Sequence, residues 1–258
     1  MPSTSSKPKV ALFVTCLADV YRPNIGFSTL ALLEAAGCDV EVPESQTCCG
    51  QPAFNSGDKA NAKAIAKNTI QAFEGYEYVV GPSGSCVGML HYYVDLFDET
   101  DPWHRRAKDL KARSFEITQF LVDELNAELP KVNYNKRVTY HDSCSGLRQL
   151  GIKQQPRELL KSVCDVDVTE MDEAETCCGF GGTFCVKYPE ISDRMVSNKV
   201  ENSLNTMADT LVGGDLGCLL NIAGKVNRQG EQIETRHIVE ILADQLAVPA
   251  ITKTESQR

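Results

Sequence analysis

The chain has 258 residues, 42% hydrophobic and 24% charged, enough to bury a sizeable core as one large domain or as two lobes. Its formal charge of −9 argues against nonspecific nucleic-acid binding, and no segment is apolar for long enough to span a bilayer. The start, MPSTSSKPKV, lacks the apolar core of a signal peptide, so the eleven cysteines are expected as reduced thiols in the cytoplasm. There, metal or redox chemistry is a better use for them than a disulfide framework, and four histidines are too few for an all-histidine metal site.

Residues 1–8 read as a disordered tail of Ser, Thr, Pro and Lys. A buried strand, Val10–Thr15, delivers Cys16 into a loop, and Pro23 opens a helix to about Ala36 with Gly37 as its stop. A second strand is predicted over Asp39–Val42, followed by the turn Thr47-Cys48-Cys49-Gly50. The run Gly57–Phe73 is predicted as a helix burying Ile65, Ile70 and Phe73. A third strand, Tyr78–Val80, ends in the turn Gly81-Pro82-Ser83-Gly84-Ser85-Cys86. The polar segment from Asp98 to Lys136 holds a basic run, Trp103–Arg113, and an amphipathic helix around Phe120–Leu129, which Pro130 closes.

The plan then repeats. Val138 to Cys144 (VTYHDSC) answers to Val10 to Cys16 (VALFVTC), and Thr176-Cys177-Cys178-Gly179 answers to Thr47-Cys48-Cys49-Gly50. Val212 to Cys218 answers in the same way to Val80 to Cys86. Between these landmarks the sequence predicts a helix over Pro156–Val163, a strand over Asp165–Val168 and a long helix over Pro189–Leu204 carrying Ile191, Met195, Val196 and Val200. A strand over Thr210–Val212 and a final helix over His237–Leu246 complete the second half. Alternating strands and helices predict an α/β fold of parallel βαβ units in two similar lobes, 9–130 and 131–248, between tails 1–8 and 249–258. Sites in such sheets form beyond the carboxyl ends of the strands, where the cysteines fall.

The duplicated cysteines make two sets, Cys16, Cys48, Cys49 and Cys86, and Cys144, Cys177, Cys178 and Cys218. Four thiolates at one point suit an iron–sulfur cluster or tetrahedral zinc. Scattered core thiols would not recur at duplicated positions beside glycine; Cys38 and Cys164, which belong to neither set and lie next to apolar residues near a helix end or strand start, read as core residues. Cys185, seven residues after Cys178, fits either description. Arg22 and Arg148 are candidates to hold a substrate carboxylate, although charged loop residues are more often simply solvated. His141 is expected as a core residue or a hydrogen-bonding residue rather than a ligand. Gly179-x-Gly181-Gly182 is not a dinucleotide fingerprint and follows a cysteine turn rather than a strand, so no bound NAD or flavin is expected.

The pattern Cys-x31-Cys-Cys-Gly-x35-Cys, repeated in the second half as Cys-x32-Cys-Cys-Gly-x38-Cys, with the phrases TCCGQPAFNSG, GPSGSC and TCCGFGGTF, resembles the cysteine-rich CCG domain. That domain is shared by the B subunit of heterodisulfide reductase and the iron–sulfur subunits of lactate and glycolate oxidising systems, and the likeness is strongest to the lactate-utilising group. The resemblance implies a cytoplasmic subunit, rather than a complete oxidoreductase, that works with B-type and C-type partners in oxidising L-lactate to pyruvate. It implies one or two clusters, of 4Fe-4S type, on the eight cysteines of the two sets. Where the heterodisulfide reductase pattern ends in Cys-x-x-Cys, this chain has Ser83 and Asp215 in place of the first cysteine. The alternatives for these two are an oxygen ligand, an open site on the metal, or residues that only shape a turn. Two alternatives stand beside this reading: a zinc-stabilised scaffold subunit of the same complex, and a heterodisulfide-type reductase of a small disulfide.

Overall fold

Short strands that are apolar along their whole length cannot alternate between core and solvent, and they reach parallel neighbours only through crossover helices. The computed structural model describes residues 7–252, so the expected tails lie outside it over 1–6 and 253–258. The chain runs from β1 (Lys9–Leu12) through α1 (Cys16–Tyr21) and α2 (Asn24–Ala35) to β2 (Asp39–Glu41). It continues through α3 (Gln51–Asn55) and α4 (Lys59–Ala72) to β3 (Tyr78–Gly81), then through α5 (Gly84–Tyr92), a 3-10 turn (Tyr93–Leu96) and α6 (Pro102–Ala112) to β4 (Ser114–Glu116). These strands form a parallel sheet in the order β2-β1-β3-β4, with Val10 opposite Val40 and Tyr78, and Val80 opposite Phe115.

Next, α7 (Ile117–Gln119) runs into a π-wound turn (Phe120–Glu124), and the chain reaches β5 (Val138–His141). Then follow α8 (Cys144–Leu150), α9 (Gln154–Cys164), α10 (Phe184–Lys187), α11 (Pro189–Asn205), β6 (Thr210–Gly213), α12 (Leu216–Gln229), β7 (Glu234–His237) and α13 (Ile238–Leu242). The second sheet is parallel in the order β5-β6-β7, and Val168 bridges to Val138 on the free side of β5. With that bridge in the place of β2, the second lobe repeats the strand order of the first.

Several elements differ from expectation for local reasons. The strand predicted over Asp165–Val168 is a single bridge, because Asp165 takes a left-handed φ of 53° to end α9 and leaves little chain to pair. β4 and β7 were not predicted; both carry polar residues, yet Ser114, Glu116, Thr235 and His237 are buried. The helices predicted over Phe120–Leu129 and His237–Leu246 are shorter, the chain turning through left-handed φ values at Asn126 (45°) and Asp244 (54°). Ile191, expected on the buried face of α11, is exposed.

The lobes exchange their closing helices. α13, from the second, packs on α2 of the first, while α7 and its π turn, from the first, pack on α9 of the second. One apolar core therefore crosses the boundary, joining Leu12 and Ile25 to Phe120, Leu160 and Ile238. A second core lies under the other face of the first sheet, around Phe13, Ile70, Phe73 and Tyr93. No helix among the described residues is long and apolar enough to cross a membrane.

Candidate metal centre

In the first lobe, Cys16 opens α1 immediately after Thr15 at the end of the β1 segment. The Cys48-Cys49 pair is turned inward by Gly50, whose φ of 81° is a left-handed value that favours glycine. That turn aims the Gly50 N–H at Cys48 Sγ, 3.4 Å away. Cys86 lies in the first turn of α5, where Ser83 Oγ caps the helix by accepting from the Cys86 N–H at 3.3 Å. Cys86 and Cys218 thus belong to helix starts rather than to the open Gly-rich turns read from sequence. Cys16 Sγ lies 3.7 Å from Cys48 Sγ, and Cys49 interacts with both Cys48 and Cys86, so the four thiols converge. Tyr93 Oη donates to the Cys49 carbonyl at 2.7 Å and fixes the pair from behind.

The second lobe repeats this arrangement with different supports. Ser143 caps α8, which opens on Cys144; Gly179, at φ 85°, points its N–H at Cys177 Sγ at 3.3 Å; and Asn221 Nδ2 donates to the Cys178 carbonyl at 2.9 Å. Cys177 interacts with Cys144 and Cys178, and Cys178 with Cys218. All eight candidate cysteines therefore fall into the two groups of four. Cys38 and Cys164 pack in the core, and the Cys185 thiol donates to the Gly182 carbonyl at 3.4 Å, outside both groups.

Crowding sets the electrostatics. Hydrogen bonds from Cys16 and Cys49 hold the Cys48 thiol far below the usual thiol range, and Cys144 and Cys178 do the same for Cys177. Cys16 and Cys144 are driven up, first by those same hydrogen bonds and then by burial. One thiolate per group forms readily; Cys16, Cys49, Cys144, Cys178 and Cys218 resist ionisation until a cation shares the site. This donor set fits a thiophilic metal or cluster.

The two groups are not equivalent. Cys16 and Cys48 line a surface cleft of about 340 Å³, together with Asp19 and Gln46. The second group has two buried nitrogen-bearing neighbours. Lys199 donates to the carbonyls of Glu173 and Ala174 and lies in the field of Cys178 and Cys177. His141, 1% exposed, lies with a ring nitrogen and the sulfurs of Cys178 and Cys218 all within 4.8 Å of one another. Burial pushes its pKa down to about 3, leaving a neutral ring. His141 is a core residue, one of the two places expected for it, but neither ring nitrogen has a hydrogen-bond partner among the described residues.

Between the lobes, Ser83 Oγ donates to Asp215 Oδ2 at 3.2 Å, and the Ser85 N–H donates to the same oxygen at 2.9 Å. The two residues that replace cysteine in the longer pattern thus tie one lobe to the other. Beside them a small cavity, lined by Glu116, Tyr140, Ser143 and Gly214, receives Glu116 Oε1, which is buried and unpaired among the described residues. Sequence reasoning missed Glu116, because its strand carries no apolar alternation. Arg22, a candidate for substrate, is instead buried against Glu240, whereas Arg148 lies on the surface near the Glu175 carbonyl.

Two α/β lobes, each gathering four thiols at its strand ends, define a duplicated cysteine-rich protein. The CCG family, described as "Cysteine-rich domain", matches residues 10–91 and again 138–223, and the chain belongs to that family. It is 50% identical over 234 residues to Lactate utilization protein A of Oceanobacillus iheyensis, covering 91% of this chain and 96% of that protein. It is 48% identical to Lactate utilization protein A of Halalkalibacterium halodurans, over 92% and 97% of the two chains. With Lactate utilization protein A 1 of Bacillus mycoides it shares 46% identity over 91% and 96%.

Proposed function

We propose that this chain serves L-lactate oxidation to pyruvate as a cytoplasmic electron-transfer subunit, with Cys16, Cys48, Cys49 and Cys86 as one ligand set and Cys144, Cys177, Cys178 and Cys218 as the other. The carrying observation is the convergence of eight thiols in two repeated groups, in a chain about half identical to proteins named for lactate utilization. An iron–sulfur cluster, when bound, supplies one-electron capacity. The chain's own part is to hold and tune. Gly50 and Gly179 direct N–H groups at Cys48 and Cys177, which stabilises negative charge on those sulfurs. The Ser83–Asp215 contact fixes the distance between the lobes and so between the two groups. B-type and C-type subunits would supply the remaining chemistry, and the exposed Val20 and Tyr21, on the helix that Cys16 opens, suit such contacts.

A second reading, zinc as a structural metal, is favoured by one distance. The 3.7 Å between Cys16 Sγ and Cys48 Sγ is close to the edge of a zinc–thiolate tetrahedron, about 3.8 Å for Zn–S bonds of ~2.3 Å. Protein purified without oxygen decides between them. Iron with matching sulfide, visible absorption and an EPR signal on reduction support electron transfer. Stoichiometric zinc without colour moves the redox role to the partners.

A further inference from the structure

We propose that His141 is a metal ligand, which gives the second lobe a nitrogen-bearing donor set with Cys178 and Cys218 that the first lobe lacks. The inference rests on the reading that the thiol groups bind metal, and it goes beyond the eight cysteines. His141 is the last residue of β5, fixed by its pairing opposite Gly213, at the strand end where Cys178 and Cys218 arrive. The chain's other three histidines each place a ring nitrogen on a backbone carbonyl: His91 on Ser114 at 2.9 Å, His104 on Phe97 at 3.0 Å and His237 on Pro82 at 3.0 Å. His141 alone has both nitrogens buried and unpaired among the described residues. Leaving a buried polar group unsatisfied is costly, and such groups are rare enough in folded proteins to require a reason.

Nearby groups do not supply that reason. Both carboxylate oxygens of Asp142, the next residue, are held by Arg157 at 3.0 and 2.9 Å. Lys199 spends its ammonium on two backbone carbonyls. What remains in reach is the pair of thiols, and a metal shared by two sulfurs and an imidazole would occupy one of the two unpaired nitrogens.

The duplication supplies the contrast. The residue matching His141 in the first lobe is Phe13, and the two take the same structural place. Phe13 O lies 3.3 Å from where a Cβ on Gly81 would be, and His141 O lies 3.5 Å from the same point on Gly213. Phe13 is buried in an apolar core and offers no donor. The two lobes would then hold unlike centres, the second with a neutral nitrogen donor beside its thiols.

The test is pulsed EPR on the full chain, purified without oxygen in its metal-loaded form, reduced, and grown once with ordinary and once with 15N-labelled histidine. If the native metal is zinc, Co2+ exchanged into the protein serves as the probe. The expected result is a nitrogen coupling of the size given by a directly bound imidazole, which changes with the isotope. It should persist in Cys16→Ser and vanish in His141→Phe. Metal-loaded wild-type protein with no isotope-sensitive coupling overturns the proposal even if His141→Phe fails to fold, and so does a coupling that survives His141→Phe. A chain that retains no metal at all sinks the metal-binding reading as well, whereas metal without the coupling sinks His141 alone.

Discussion

The Nε of Arg22 lies 2.7 Å from Oε1 of Glu240, a buried ion pair between the end of α1 in the first lobe and α13 of the second. Arg22 also donates to the Pro249 carbonyl at 2.6 Å, and Glu240 accepts from Asn24 at 3.2 Å and from the His237 N–H at 3.3 Å. At the matching place in the other half, Gln119 Nε2 donates to the Leu150 carbonyl at 3.3 Å, so a neutral contact stands where the ion pair stands here. The exchanged helices are thus pinned at both ends of the pseudo-twofold.

Removing one partner strands the other. Arg22→Met is expected to destabilise the protein by about 3–5 kcal/mol, because Glu240 stays buried without its counter-charge. Arg22→Met with Glu240→Gln should recover most of that loss. Urea unfolding of the two variants checks this; a single-variant loss below about 1 kcal/mol would show that the pair does not hold the lobes.

Glu116 gives a pH signature. Burial is the main cause that raises its pKa from 4.5 to about 7, against hydrogen bonds from Thr118 and Gln119. Between those values the folded chain holds a proton that the unfolded chain has released, so this group's contribution to stability falls as pH rises through the window. The full effect is up to about 3 kcal/mol, from ~1.4 kcal/mol per unit. Glu116→Gln keeps an acceptor for Thr118 and removes the titration. Its stability relative to wild type should therefore improve from pH 5 to pH 8. A difference that stays flat across that range would place the carboxyl in a wetter site than the cavity implies.

What could be read from sequence was whatever is repeated and local. The Cys-Cys-Gly turns were legible because a left-handed glycine beside paired thiols leaves a fixed spelling, and β1, β3, β5 and β6 because each carries a short run of strand-forming residues around Val, Leu or Tyr. β4 and β7 were not legible. Glu116 and His237 are buried by the opposite lobe, and nothing in a window of a few residues reports a cover that distant. The reciprocal seating of α7 on α9 and α13 on α2 was hidden for the same reason. His141 was visible as a residue but not as an anomaly, since an unpaired ring is a property of its surroundings.

The two Cys-Cys-Gly turns look alike in sequence but should respond differently to a methyl group. A Cβ on Gly179 would come within 2.8 Å of the Ser192 carbonyl oxygen, on the backbone of α11, whereas on Gly50 it would meet the Ile65 side chain at 3.1 Å. Both substitutions carry the strain of a positive φ, about 1 kcal/mol or more. Only Gly179→Ala must also move a helix. It is expected to lose more stability than Gly50→Ala and to lower the metal content of the second site. Thermal unfolding of the paired variants with metal analysis checks both points; equal losses would mean that α11 yields freely.

The cysteine assignments separate by position. Cys49 and Cys178 are as buried as Cys38 and Cys164, so exposure alone cannot tell a ligand from a core thiol, and chemistry must. Serine keeps the shape and a hydrogen-bonding oxygen but removes the soft donor. Cys49→Ser and Cys178→Ser are each expected to remove the metal of their own lobe and leave the other lobe loaded. Cys38→Ser and Cys164→Ser should retain full metal while losing about 1–3 kcal/mol through a hydroxyl placed among apolar neighbours. Metal content per chain, with unfolding midpoints measured on the same preparations, distinguishes the two classes. Full metal in both Cys49→Ser and Cys178→Ser would overturn the ligand sets, because each of these thiols lies between two other sulfurs of its group.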